Sequence, residues 1–298
     1  MLNERAWIGW GSLFCLCVAL AGCGKEVPGA PSVRKGVITM APHLTETVFA
    51  LGQGSRVIAA GSFCDYPPEI ANLPRVGGYI DPELEKISLL NPELLIVPGK
   101  YQQVTDYAEM KKLPVLNVDM DSLESIDAGI ETIGKALGCE DKARALRARI
   151  ASELEAVRAA VKDQPRPSVL IITTRPDHDL NNLYTVNGTS FVSEVVACAG
   201  GENVYADAGS RYLEASKETV VVKAPEVILE FHAGEKLDDT EQAKFVADWR
   251  QLPSLPAVQN GRVYLIAESH ALRPGPRVGE IARIIARKLH PNVEIPEP

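Results

Sequence analysis

Two stretches of the chain, one in each half, share a single spacing. In the first, Tyr79 stands six residues before Glu85, and seven residues later Pro92-Glu93 leads into the apolar run Leu94-Leu95-Ile96. In the second, Tyr212 stands six residues before Glu218, and Pro225-Glu226 leads, again after seven, into Val227-Ile228-Leu229. An aromatic, an acid and a Pro-Glu-strand junction repeated at the same offsets predict two structurally equivalent lobes. The surrounding pattern agrees. In the first half, residues 37–40, 56–60, 94–97 and 115–118 read as short buried strands, with helical patterns at 44–51 and 84–90. In the second, residues 169–173, 227–229 and 263–266 read as strands and 191–199 as a helix ended by Gly200-Gly201. Strands alternating with helices imply parallel sheets.

Between the halves, residues 140–162 contain neither Gly nor Pro and alternate Ala, Leu, Arg, Glu and Lys. One helix of that length would reach roughly 34 Å, and Pro165 and Pro167 stop it. Its position midway between two α/β patterns favours a bridge over an ordinary surface helix. The expected fold is therefore α/β, with two pseudo-symmetric lobes of mainly parallel sheet at 36–139 and 165–298. One long rigid helix at 140–164 joins them, and a ligand cleft lies between them.

The N-terminus reads as an export signal. A polar start carrying Glu4 and Arg5 precedes an apolar run at 8–21, too short for a comfortable bilayer span. The run ends in Leu20-Ala21-Gly22-Cys23, which resembles the lipobox of bacterial lipoproteins. That resemblance implies a signal peptide at 1–22, lipid on Cys23 and a Gly/Pro-rich tether at 23–35. An ordinary signal peptide or an uncleaved anchor is the alternative. The protein is thus expected in the cell envelope, facing the periplasm or the outer face of the cytoplasmic membrane. Three cysteines remain beyond the lipobox, Cys64, Cys139 and Cys198, enough for one disulfide at most. The absence of Cys-x-x-Cys argues against structural zinc. The net charge of −8, without basic blocks, argues against nucleic acid as a partner.

In open α/β sheets, ligands sit beyond the carboxyl ends of the strands, and two such lobes face each other across a cleft. Tyr79 and Tyr212, each placed in a loop before a helix, could line it, or each could cap its own lobe. Glu85 and Glu218 fall near helix starts, where a lone acid merely complements the dipole. As a pair on equivalent lobes they could also meet a two-fold partner that carries basic residues.

Several blocks in order carry a family resemblance: Val37-Ile38-Thr39-Met40-Ala41-Pro42-His43-Leu44-Thr45-Glu46, Ala50-Leu51-Gly52, Cys64-Asp65-Tyr66-Pro67-Pro68, Pro74-Arg75-Val76-Gly77-Gly78, Ala199-Gly200-Gly201-Glu202-Asn203-Val204 and Arg273-Pro274-Gly275-Pro276-Arg277. Over about residues 36–290 the chain resembles the substrate-binding proteins of ABC importers for cobalamin, haem and ferric siderophores (class III periplasmic binding proteins), most of all the cobalamin-binding member. The resemblance implies docking on the importer's membrane subunits through Glu85 and Glu218. It also implies cobalamin contacts at Tyr66, Tyr79 and Tyr212. The last two are Trp in the best-known member, and a further family aromatic falls at Pro98, with Tyr101 the nearest ring. Trp249, the only Trp beyond the signal, reads as second-lobe surface. No resident cofactor or metal site is expected, the cobalamin or iron complex being cargo, and the protein is expected to be a monomer.

Further cleft candidates come from single residues. Arg273 could hold a phosphate or propionate bidentately, with Arg277 a weaker candidate beside it. His270 on the same loop could face the cleft or a metal. Arg175 follows a strand end, and His43 follows Pro42 at a helix start. Asp177-His178-Asp179, beside Asn181 and Asn182, reads as a turn rather than a metal site. Against a corrinoid receptor stand a haem or siderophore receptor, an envelope hydrolase and a sensor lipoprotein. Cleft aromatics would favour corrinoid, and an Arg cluster would favour carboxylate-rich siderophores. The chain has no Gly-x-Ser-x-Gly, His-Glu-x-x-His or P-loop pattern, so an enzyme is not expected.

Overall fold

The computed structural model describes residues 36–99 and 101–297. The export signal, Cys23 and the tether to residue 35 lie outside the described residues. The first half builds β1 (Val37–Thr39), α1 (Pro42–Ala50), β2 (Val57–Ala60), α2 (Leu84–Leu90), β3 (Leu94–Pro98), α3 (Gln102–Lys111), β4 (Val115–Val118) and α4 (Leu123–Leu137). Then comes α5 (Glu140–Val161), 22 residues and about 33 Å long. The second half builds β5 (Ser168–Ile172), β6 (Leu183–Val186), α6 (Phe191–Cys198), β7 (Glu202–Asn203), β8 (Tyr212–Ala215), α7 (Lys217–Lys223), β9 (Val227–Phe231), α8 (Asp239–Asp248), α9 (Pro256–Gln259), β10 (Val263–Ile266) and α10 (Val278–Leu289).

Each half holds one four-stranded parallel sheet, ordered β2-β1-β3-β4 and β7-β5-β9-β10. Counted in chain order within its own sheet, each therefore reads 2-1-3-4. The central strands β1, β3, β5 and β9 are mostly apolar on both faces, as helix-covered parallel strands are, and alternate residues enter different cores. Val37, Ile96, Val169, Ile171, Val227 and Leu229 enter one core together with α4, α5, α6 and α10. Ile38, Leu95 and Val97 face outward onto α2 and α3, and Leu170, Ile172 and Ile228 onto the outer layer of the second lobe. The inner core is continuous through both lobes, with α5 packed against α4 of the first and α6 and α10 of the second.

The repeated spacing has a structural counterpart. α2 and α7 are both seven residues long. Both end on a left-handed non-glycine residue, Asn91 (φ 44°) and Ala224 (φ 45°). The Pro-Glu step then turns into the sheet. The Glu93 amide donates to the Gly36 carbonyl (2.9 Å) and the Glu226 amide to the Ser168 carbonyl (3.0 Å), at matching points of the two sheets.

Two features depart from the sequence reading. Tyr212 opens strand β8 rather than lying in a loop, because β8 pairs antiparallel with β6, Tyr212 opposite Val186. Trp249 is not on the surface: it is fully buried in the outer core of the second lobe, its Nε1–H donating to Glu230 Oε2 at 2.7 Å. Its polar neighbours Asp248, Arg250 and Gln251 hid a ring that anchors the end of α8. The cysteines Cys64, Cys139 and Cys198 are buried free thiols.

Candidate functional site

The loops at the carboxyl ends of the strands carry most of the candidate residues. After β2 the chain passes Phe63 and Tyr66, both exposed. Next comes a tight turn pinned at its base by bridges between Gly77 and Pro82 and between Ala60 and Arg75. Tyr79 and Ile80 stand exposed at its tip. The Tyr79 ring stacks on Tyr101 (centroids 4.4 Å apart, 20° between planes). Tyr101 is buried, and its hydroxyl donates to the Gly78 carbonyl at 2.6 Å. Burial, with Tyr79 and Asp81 nearby, pushes that phenol up to about 12, so it stays a donor. Tyr101 is thus the support of Tyr79 rather than a free cleft ring. Phe63 and Ile80 were not anticipated. A lone Phe or Ile reads as core in a sequence, and only the packed fold shows these two left outside.

Gly77 shapes this turn. It has φ +84°, and a Cβ there would lie 2.2 Å from the Asp81 carbonyl oxygen and 2.7 Å from the Glu83 amide. Gly77→Ala should cost on the order of 1–3 kcal/mol. It should lower the thermal midpoint and, by displacing Tyr79, weaken ligand binding in calorimetry.

Tyr212 is also exposed and lies toward the first lobe. Burial of its ring edge raises its pKa, and Asp121 and Asp119, both beyond β4, push the same way against Arg211. Arg211 Nη1 reaches Asp121 at 3.1 Å. Nearby the lobes are tied by backbone. The Phe191 amide donates to the Asp121 carbonyl (2.8 Å), and the Leu123 amide to Glu194 Oε2 (2.5 Å).

Arg273 and Arg277 cross between the lobes, but to partners of this chain. Glu46, on α1 and almost wholly buried, accepts from Arg277 Nε (2.8 Å) and Nη2 (2.7 Å) and from Arg273 Nη1 (3.2 Å). Asp65 takes Arg273 bidentately, Nη1 at 2.5 Å and Nη2 at 2.9 Å. That hydrogen bonding holds the Asp65 carboxyl below its usual range. Arg277 also covers the Tyr66 ring at 4.2 Å. Tyr66 therefore lines a groove of about 380 Å³ with Glu46, Phe49, Arg149 and Arg277. Among the described residues, none of the three candidate tyrosines stacks on another.

Arg175 does not line the cleft. Its side chain is fully buried, with Nε on Glu230 (2.7 Å) and Nη2 on Asp248 (3.0 Å), and the guanidinium lies over Phe245. Its strand-end position suggested exposure, but α8 and Trp249 close over it. His178 sits in a turn beside it, 3.1 Å from Asp248. A cavity of about 430 Å³ between α4 and α5 holds none of the candidate residues.

His43 and His270 flank the arginines and stay neutral. Burial first, then Arg273, push the His43 imidazole down to about 4, against Asp119. Burial first, with Arg277 and Arg273, takes His270 to about 4 against Glu268. A folded value below the free value of about 6.5 favours the neutral form. The associated stability is complete above pH about 6.5 and is lost as the pH falls toward 4. The loss is on the order of 3 kcal/mol for His43, and smaller for His270, whose Nε2 lies 3.3 Å from the Glu280 carboxylate. His232 runs the other way. Burial opposes its charge, but hydrogen bonds to Glu230 and Glu235 outweigh it and raise its pKa; its share is lost as pH rises. Stability measured by urea titration should therefore drop between pH 6.5 and 4, and His43→Gln with His270→Gln should flatten that drop.

Glu85 and Glu218 occupy matching first-turn positions on α2 and α7, both exposed. Ser216 caps α7, its hydroxyl accepting from the Thr219 amide. The helix-end amide and the Ser216 hydroxyl lower the Glu218 carboxyl. Among the described residues, neither acid makes an ion pair.

Comparison with known proteins places this geometry. The family model described as periplasmic binding protein matches residues 37–269. A vitamin B12-binding protein of Vibrio parahaemolyticus is 29% identical over 266 residues, spanning 88% of this chain and 91% of the relative. An uncharacterized ABC transporter substrate-binding lipoprotein of Bacillus subtilis, YvrC, is 25% identical over 98% of this chain and 99% of its own. The solved periplasmic heme-binding protein RhuT from Roseiflexus sp. RS-1 superposes with a TM-score of 0.73 at 25% identity, covering 86% of this chain and 98% of that one.

Proposed function

We propose a cargo and a route for this chain from one premise: it belongs to the periplasmic binding protein family, in the class that serves ABC importers, whose members bind and deliver rather than catalyse. The cargo is cobalamin. One observation carries this reading: the aromatic surface is free while the arginines are taken. Tyr79, Tyr212, Phe63 and Ile80 are exposed, whereas Arg273 and Arg277 are paired with Glu46 and Asp65 and Arg175 is buried on Glu230. A broad, largely apolar macrocycle gains from flat rings with polar tips. A carboxylate-rich siderophore would need guanidinium donors that here are already engaged. The vitamin B12-binding relative spans nearly the whole folded chain and supports the same cargo.

Cobalamin enters between the lobes and is held by Tyr79 on its Tyr101 support, with Phe63 and Ile80 beside it, and by Tyr212 from the second lobe. The continuous inner core and α5 resist bending, so closure is small. The loaded protein docks on the importer's membrane subunits through Glu85 and Glu218, and charge steering makes docking salt-sensitive. Lipid on Cys23 holds the protein at the membrane, a reading supported by the lipobox and by the lipoprotein relative.

Haem is the second reading, favoured by Tyr66. A phenol beside a guanidinium, as Tyr66 lies beside Arg277, is suited to ferric iron, for which Tyr is a known axial ligand. Calorimetry of the soluble chain from Gly24 with cyanocobalamin, then haemin, then ferric siderophores, tests the assignment. Tight one-to-one binding of cyanocobalamin is expected. Binding of haemin alone, lost in Tyr66→Phe, would move the cargo to haem.

A further inference from the structure

The outer helices α2 and α7 match in more than their acids. Two residues past each acid stands a fully buried apolar side chain, Ile87 and Val220, both 0% exposed. Two residues are about 200° of helical rotation, so each acid points away from its sheet. Four residues past each acid, on the same face as that acid, stands an exposed apolar side chain. Leu89 is 80% exposed and Val222 is 83% exposed. Scattered exposed hydrophobics need no explanation, but these two fall at the same position of equivalent helices. Each forms a unit with an acid that makes no ion pair among the described residues. On the first lobe, Leu89 borders a depression of about 590 Å³ with Pro82, Leu84, Glu85 and Tyr107. On the second, Val221 extends the apolar surface.

We propose that Leu89 and Val222 are paired apolar anchors that seat in two equivalent recesses of the importer's membrane subunits, each beside a basic residue that meets Glu85 or Glu218. The inference rests on the docking reading above. Two like patches on two like lobes fit a partner that presents one surface twice, as a two-fold pair of subunits does. The charges single out that partner. A second copy of this chain would bring acid onto acid, whereas a basic surface with an apolar recess is complementary. Charge then sets the approach and the apolar pair the residence, since buried anchors mainly govern dissociation.

The test uses the full-length chain in its host cells. A benzophenone amino acid replaces Leu89, Val222, Glu85 or Glu218 in turn, and cross-linked partners are identified by peptide sequencing. In parallel, uptake of radiolabelled cyanocobalamin is followed for Leu89→Ser with Val222→Ser and for Glu85→Ala with Glu218→Ala. Thermal midpoint and calorimetry check that fold and cargo binding are intact. The expected result is a cross-link from positions 89 and 222 to the same polytopic importer subunit, with uptake in the double Ser variant reduced about tenfold or more. Cross-links from 85 and 218 but not from 89 or 222, or wild-type uptake in the double Ser variant while the double Ala variant fails, would overturn the anchors and leave docking standing. No cross-link from any position together with wild-type uptake in the double Ala variant would remove the docking reading, and the anchors with it.

Discussion

Tyr79→Ala combined with Tyr212→Ala should weaken cyanocobalamin binding by about 100- to 10,000-fold in calorimetry. Each ring contributes roughly 1.5–3 kcal/mol of buried apolar contact, and every 1.4 kcal/mol is worth about tenfold. The two losses should nearly add, because the rings stand on different lobes and share no partner. Tyr79→Phe should cost little, since stacking on Tyr101 needs only the ring. Tyr101→Ala should mimic much of the Tyr79 loss without touching cargo, because it removes the face against which Tyr79 rests. Unchanged affinity in the double Ala variant would place the cargo elsewhere on the molecule.

Glu46→Ala should destabilise the protein by about 3–5 kcal/mol in urea unfolding, the range for breaking a buried ion pair from one side. It would leave Arg277 without its carboxylate and Arg273 with Asp65 alone. Glu46→Gln, which keeps the volume and one acceptor, should cost less. The mechanism is separable from mere loss of packing. Adding Arg277→Met to Glu46→Ala should recover part of the loss by removing the stranded charge, whereas a packing defect would deepen. Hydrogen exchange should quicken on both sides of the lobe junction, in residues 42–50 and 270–280, since the pair ties α1 to the start of α10.

Local chemistry made much of this fold legible. Parallel strands apolar on both faces, a Gly- and Pro-free helix between two α/β patterns, and a Pro-Glu corner repeated after a Tyr and an acid are all written within a few residues of where they act. The structure realises them as matching 2-1-3-4 sheets and matching α2 and α7. Partners set far apart were not legible. Glu46 and Arg277 meet across a separation of 231 residues, so a motif reading made Arg273 and Arg277 free hands for a ligand. Arg175 and Trp249 were misplaced for the same reason: both converge on Glu230, and no local pattern announces a buried carboxylate that gathers distant donors. The β6–β8 pairing spans an intervening helix and so escaped a reading by short runs.

The inner core that runs unbroken from Val37 and Ile96 through α5 to Val169 and Leu229 has a thermodynamic consequence. Neither lobe owns that core, so neither can melt while the other keeps its apolar face covered. The folded chain should therefore denature as one cooperative unit. A scanning calorimeter should record a single heat-absorption peak whose van't Hoff and calorimetric enthalpies agree.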